Sequence, residues 1–181
     1  ETYQRILAEA FEEIKGTFEE SPYVEENKDG YYCADCMIDT DLEVLIPDSY
    51  INITAEKIRL YKELDSISDE SSLDKFIASI EDRFGKMPEE LVRLFDIVRI
   101  RQLGIKLGFE KIIIKNGVLI AFFISNPLSQ YYRSDKFAKI LENVSVNPKL
   151  FELKQNDNKL RVFARNVDGI AKAYALLKKL S

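Results

Sequence analysis

The chain has no histidine and no tryptophan, only two cysteines and two methionines, and no apolar run long enough to span a membrane. Each absence excludes something. Without histidine, the commonest acid–base side chain and a frequent metal ligand are gone. Cys33-x-x-Cys36 supplies two of the four ligands that a structural zinc site takes, and no other Cys or His completes the set. The motif lies in an acidic stretch rather than at a helix start beside a strand, where a thiolate is stabilised, so the expectation is two reduced cysteines in a surface loop. No Walker loop, G-x-S-x-G, H-E-x-x-H or dinucleotide fingerprint occurs. Asp35, Asp39 and Asp41 cluster but lack the glycine turn and closing glutamate of a calcium loop, and read as a solvated acidic segment. The longest apolar run, Val118 to Ile124, is strand-sized against the roughly 18 residues of a membrane span. These absences point to a chain that is not an enzyme, with no cofactor and no metal of its own.

What remains suits a globular domain. Of 181 residues, 46% are hydrophobic and 11% aromatic, enough for a sizeable core. The net charge of −5 is unevenly spread: Glu1 to Ser49 holds 14 acidic against 3 basic residues, and the remainder 17 against 23. A basic second half admits an alternative function, an autonomous module binding duplex DNA, although its cations are interleaved with acids along helices, the usual pattern of a solvated surface. The chain opens without methionine and inside an amphipathic pattern, which leads us to expect a piece of a longer protein.

The periodicity divides the chain. Thr2 to Phe18 has helical spacing, Glu19 to Tyr32 is acidic and broken by Pro22 and Gly30, and Met37 to Ile46 has a partly alternating, extended pattern. Thr54 is positioned to cap a helix from Ala55 to about Ile67, with Ile58, Tyr61 and Leu64 inward. Phe109 to Lys115 and Val118 to Ser125 flank Asn116-Gly117, a strong hairpin signal, and Ser134 or Asp135 starts a helix over 136–144. Leu150 to Lys154 and Leu160 to Ala164 form a second hairpin, and Asn166 or Asp168 caps a last helix through Leu180. The fold expected is α+β: a helical cluster followed by two ββα units, forming an antiparallel four-stranded sheet with helices packed on one face.

The most sharply punctuated stretch is Ser71 to Leu107. Ser71 and Asp74 have the spacing of a capping box, predicting a helix from about Ser72, with Leu73, Phe76, Ile77, Ile80 and Phe84 on one face. Gly85 closes it, Pro88 opens the next helix, and Gly108 ends that one after Leu107. The apolar positions of the second helix cover more than one stripe, which marks a core helix packed on several sides. Asp82 stands in the last turn of the first helix, facing the negative end of the macrodipole, where a carboxylate costs roughly 0.3 to 1 kcal/mol. Its compensation is either Lys86 four residues on or another internal cation, or else an arginine or lysine on a partner surface. Glu81-Asp82 is the only carboxylate pair tied to a special position, and adjacent helical residues point in different directions, which disfavours paired acid–base work.

Asp82-Arg83-Phe84-Gly85 with Pro88, preceded by Pro47-Asp48-Ser49-Tyr50-Ile51, Lys57, Ile58, Tyr61-Lys62 and Leu64, and followed by Leu94, Ile97, Arg99, Arg101 and Leu107-Gly108, resembles the C-terminal domain of the bacterial transcription-repair coupling factor. The likeness covers roughly Leu45 to Gly108. Asn52 stands where family members usually carry proline. The resemblance implies a division into the closing helix of a preceding translocase module (1–20), an acidic linker (21–36) and a C-terminal regulatory domain (37–181). It implies a cytoplasmic, multidomain parent, an ATP-dependent DNA translocase that uses ATP and Mg. That parent displaces stalled RNA polymerase from damaged duplex DNA and recruits nucleotide excision repair through the damage-recognition ATPase. The domain itself docks on the N-terminal repair-homology module of the same protein and restrains it, with carboxylates of the Asp82-Arg83-Phe84-Gly85 helix meeting arginines. Asp82 occupies the matching position, Ser79 stands at the other acidic position one turn earlier, and Glu81 is expected to assist.

Overall fold

A computed structural model describes residues 32–181 apart from 43 and 158. The helix expected over 1–20 and most of the linker expected over 21–36 lie outside the described residues.

Three helices follow a first strand: α1 (Thr54–Ser66), α2 (Glu70–Phe84) and α3 (Glu89–Leu107). α1 begins at Thr54 itself with no side-chain cap, and Leu60 and Leu64 face inward, while Ile58 is half exposed. The inward set expected through Ile58 thus runs through Leu60 instead, because Leu60 and Leu64 are the pair four apart that reaches Phe76, Ile80, Leu91 and Phe95. α2 starts earlier than the Ser71–Asp74 spacing suggests. Asp69 is its cap, accepting from the Ser72 amide and hydroxyl at 2.7 Å each, and these bonds hold the Asp69 carboxyl below the usual carboxylate range.

The sheet joins that first strand, β1 (Met37–Thr40), to β2 (Phe109–Lys115), β3 (Val118–Phe123), β4 (Phe151–Asn156) and β5 (Lys159–Arg165), in spatial order β1-β2-β3-β5-β4. Both expected hairpins form. Asn116 and Gly117 take φ of 53° and 71°, as a two-residue turn between right-twisted strands requires, and the second hairpin turns at Asp157, φ 49°. The two hairpins join through antiparallel β3 and β5, giving the four-stranded antiparallel unit expected. The addition is β1, which lies parallel to β2 with Ile38 beside Ile112 and makes the sheet five-stranded and mixed. Four residues are too few to reveal strand direction. The three intervening helices provide the long crossover that a parallel pairing needs.

A short 3₁₀ turn (Gln130–Arg133), α4 (Asp135–Val146) and α5 (Ile170–Lys178) complete the chain. Ser134 caps α4, accepting from the Phe137 amide, as expected. α5 is preceded by Gly169 and has no side-chain cap, so neither Asn166 nor Asp168 caps it; Asn166 instead turns the chain at φ 58°.

Two hydrophobic clusters result. One packs Ile46 and Ile51 with α1, α2 and the first half of α3. The other lies between one sheet face (Ile112, Leu119, Val162, Ala164) and α4, α5 and the second half of α3. α3 therefore belongs to both, which explains its apolar residues on several sides. At its end, the Gly108 backbone passes so close to Tyr131 that a Cβ there would lie 2.2 Å from the ring, while the Tyr131 hydroxyl donates to the Leu107 carbonyl at 2.6 Å.

Gly85 and Gly108 share nearly the same φ, 87° and 86°, yet a Cβ at Gly85 would meet nothing within 4 Å. Gly85, with ψ −164°, lies in a region that only glycine occupies readily, so Gly85→Ala should cost about 1–3 kcal/mol of backbone strain alone. Gly108, with ψ 30°, is left-handed helical, so Gly108→Ala should cost about 1–2 kcal/mol of strain plus an overpacking penalty of about 1–3 kcal/mol. Urea midpoints measure both, and a loss at Gly108→Ala of about 1 kcal/mol or less would contradict the packing described at Tyr131.

Candidate partner-binding site at the end of helix α2

Leu73, Phe76 and Ile80 hold one side of α2 in the first cluster, which leaves Lys75, Ala78, Ser79, Glu81 and Asp82 outward. The helix terminus is braced by the segment that precedes α1. Tyr50 donates its hydroxyl to the Gly85 carbonyl at 2.7 Å, and its ring centre lies 6.0 Å from that of Phe84. Gly85 in turn donates its amide to Glu81 O at 2.9 Å. Lys57 pairs with Asp48, fixing the loop, and the Ile46 amide donates to the Tyr61 hydroxyl at 2.7 Å. Arg83 crosses to Glu56 of α1 at 2.8 Å with its guanidinium 4.9 Å from the Phe84 ring centre. Hydrogen bonds from Arg59 and Arg83 hold the Glu56 carboxyl below its ordinary range. The residues of Pro47 to Ile51, Lys57, Tyr61 and Arg83 thus build a frame around one helix end.

That frame presents two carboxylates. Glu81 and Asp82 are exposed, and neither has an ion pair among the described residues; Lys86 does not pair with Asp82. Neither Lys86 nor another cation among the described residues therefore compensates Asp82 by an ion pair. Burial, and after it the nearby Glu81 carboxylate, push the Tyr50 hydroxyl up. Ser79 and Ala78, one turn back, are exposed and small, so an approaching surface can reach the helix backbone there.

The acidic segment expected to be solvated is instead bound to the basic half. Asp35 and Asp65 both accept from Arg101, at 2.8 and 2.7 Å. Asp39 pairs with Lys115 at 3.0 Å, and Asp41 accepts from the Asn116 amide at 3.0 Å. No group of three His, Cys, Asp or Glu suited to a metal occurs among the described residues, and no described helix is long and apolar enough to cross a membrane.

The cysteines are also relocated. Both are buried rather than in a surface loop: Cys33 Sγ lies 3.5 Å from the Ile105 carbonyl and 3.6 Å from that of Phe109, and Cys36 packs at Gly104, where a Cβ would come within 2.7 Å of its sulfur. Glycine at 104 was the available signal, since a small residue in an otherwise apolar helix marks a close approach. Burial pushes the Cys33 thiol up to about 11, and pushes Cys36 up further. Thiols held neutral in this way are poor nucleophiles.

Residues 40–134 match the family described as the TRCF domain. The transcription-repair-coupling factor of Rickettsia bellii (strain RML369-C) is 34% identical over 148 residues, which is 80% of this chain and 12% of that protein. That of Rickettsia prowazekii (strain Madrid E) is 37% identical over 132 residues, 72% of this chain and 11% of the relative. That of Escherichia coli (strain K12) is 35% identical over 68 residues, 38% of this chain and 6% of its own length. The chain therefore spans about an eighth or less of these relatives. A crystal structure of the C-terminal domain of a transcription-repair coupling factor superimposes with a TM-score of 0.66 at 16% identity, covering 81% of this chain and 91% of that one, so the two share a fold.

Two expectations test the site's physics. Asp82→Ala should leave the chain as stable or more so, by up to about 1 kcal/mol, since it removes an unpaired carboxylate from a helix C-terminus; chemical denaturation measures it, and a clear loss of stability would mean that Asp82 has a structural partner. Iodoacetamide at about pH 8 should leave Cys33 and Cys36 unmodified until denaturant is added. The thiol ordinarily ionises at 9.0 and folded Cys33 at about 11, so stability is full below pH 9 and falls as pH rises through that interval.

Proposed function

The chain belongs to the TRCF domain family of transcription-repair coupling factors, and from that membership we propose that it acts as the regulatory, autoinhibitory C-terminal domain of a bacterial coupling factor. The parent, in this reading, is a cytoplasmic ATP-dependent DNA translocase that displaces stalled RNA polymerase at lesions and recruits nucleotide excision repair. ATP and Mg serve the parent's motor, and this chain contributes no catalytic residue and holds no cofactor. Its partner is the N-terminal repair-homology module of the same protein, and its docking hides the surface that the damage-recognition ATPase uses.

The observation that supports this reading is the unpaired state of Asp82 and Glu81 at a helix end braced by Tyr50 and by the Arg83–Glu56 pair. Carboxylates facing the negative end of a helix dipole carry a cost that an external cation removes. Arginines on the partner fit that role through charge-assisted hydrogen bonds. Exposed charge pairs of this kind confer specificity and orientation at modest affinity, and they loosen with salt, which suits a latch that must open.

Calorimetric titration of the chain against the N-terminal repair-homology module should give saturable binding that weakens as salt rises. Asp82→Ala should weaken it about tenfold and Glu81→Ala less. Binding that is indifferent to both variants would remove the latch from this helix.

A further inference from the structure

α3, α4 and α5 pack on one face of the sheet, and among the described elements none covers the other. On that open face the register aligns Lys111, Phe122, Arg161 and Lys154 in a row across β2, β3, β5 and β4. The next row is Ile113, Ile120, Phe163 and Glu152, and beyond it stand Lys115, Val118 and Arg165. With Lys159 at the end of β5, the face carries six cations against the carboxylates of Asp39 and Glu152.

Those two carboxylates do not neutralise it. Asp39 takes Lys115 at 3.0 Å, and Glu152 is shared by Arg165 at 3.8 Å and Lys154 at 3.9 Å. Lys111 and Arg161 have no carboxylate among the described residues. The Arg161 guanidinium lies 5.6 Å from the centre of the Phe122 ring and 5.3 Å from that of Phe163, and its Nε is buried without an acceptor. Lys154 Nζ sits 4.6 Å from the Phe163 ring and Lys111 Nζ 6.0 Å from that of Phe122. A buried donor left without an acceptor is costly, and cations resting on ring faces are the substitute this surface uses for absent anions.

We propose that this face binds single-stranded nucleic acid. Phe122 and Phe163 stand on neighbouring strands one register step apart, a diagonal of roughly 7–8 Å, so each ring offers a plane for a separate base. Arg161 between them stacks on a base or meets the phosphate joining the two, and the flexible lysines swing from the rings to flanking phosphates. An acidic protein segment would use the cations but has no need of two planar rings at their centre. Duplex DNA would also match the charge, but its bases are stacked away from such rings. The chain's overall charge of −5 opposes general attraction of polyanions, so binding has to come from this local patch.

The test is fluorescence anisotropy with the 181-residue chain and a labelled oligothymidylate of about fifteen nucleotides, against a duplex of equal length and a polyglutamate peptide as competitors. Saturable binding should fall with salt with a log–log slope of roughly −2, as three phosphate contacts on a single strand imply. Phe122→Leu and Phe163→Leu, which keep apolar volume on the strands but remove the planes, should each weaken binding about fivefold or more. Arg161→Gln should weaken it and flatten the salt slope, and Lys139→Ala on α4, off this face, should change nothing. Absence of saturable binding at about 50 mM salt, equal affinity for the duplex, indifference to both leucine variants, or tighter binding of polyglutamate would overturn the proposal.

Discussion

Burial of α3 on nearly all sides is the constraint on which the rest of the molecule depends. Its first half contributes Leu91, Leu94, Phe95 and Val98 to the helical cluster, and its second half contributes Ile100 and Leu107 to the core beneath the sheet. One helix common to two cores fixes the helical cluster relative to the sheet. Arg99 and Arg101 reinforce it from the polar side, reaching Asp74 on α2 in one case and Asp35 and Asp65 in the other. The geometry at Gly108, where the chain leaves α3 under the Tyr131 ring, sets how β2 enters the sheet.

Charge is spent in two ways in this fold. The acidic stretch before α1 is drawn onto the basic half, and Asp35, Asp39 and Asp41 each find a donor there, so the separation of charge along the sequence becomes cohesion in the structure. Among the described charges without an ion pair are the carboxylates of Glu81 and Asp82 at one helix end, and the cations Lys111 and Arg161 on the open sheet face. These two places have opposite sign and lie on different elements, α2 and the sheet. What sets them apart from other exposed charges is their setting, a helix C-terminus that disfavours carboxylates in one case and aromatic ring faces in the other.

Much of the fold was legible because its punctuation is local. Glycine at 85 and 108, Pro88 and Asn116-Gly117 each act through the conformations their own backbones favour, so the ends of α2 and α3 and the first hairpin follow from a few residues. Errors fell where two local signals competed. Asp69 took the cap from Ser71, one turn's worth of alternatives being chemically equivalent, and Leu60 displaced Ile58 because both suit an apolar face and only the neighbouring helices decide between them. The candidate site was legible in part: Asp82 stood out by its conflict with the helix dipole, whereas the brace from Tyr50 to the Gly85 carbonyl spans 35 residues and has no local signature.

By itself, the sequence determined the α+β class, the helical cluster followed by paired hairpins, the family likeness carried by Pro47 to Ile51 and Asp82 to Gly85, and the oddity of Asp82. These follow from periodicity and backbone preference, which act over one to four residues. Only the tertiary structure decided that β1 joins the sheet in parallel, that Cys33 and Cys36 are buried, and that Phe122, Phe163 and Arg161 meet on one open face. Those outcomes depend on contacts between segments far apart in the chain, where the selection is made by packing volume and by the pairing of charges rather than by any residue's own tendency.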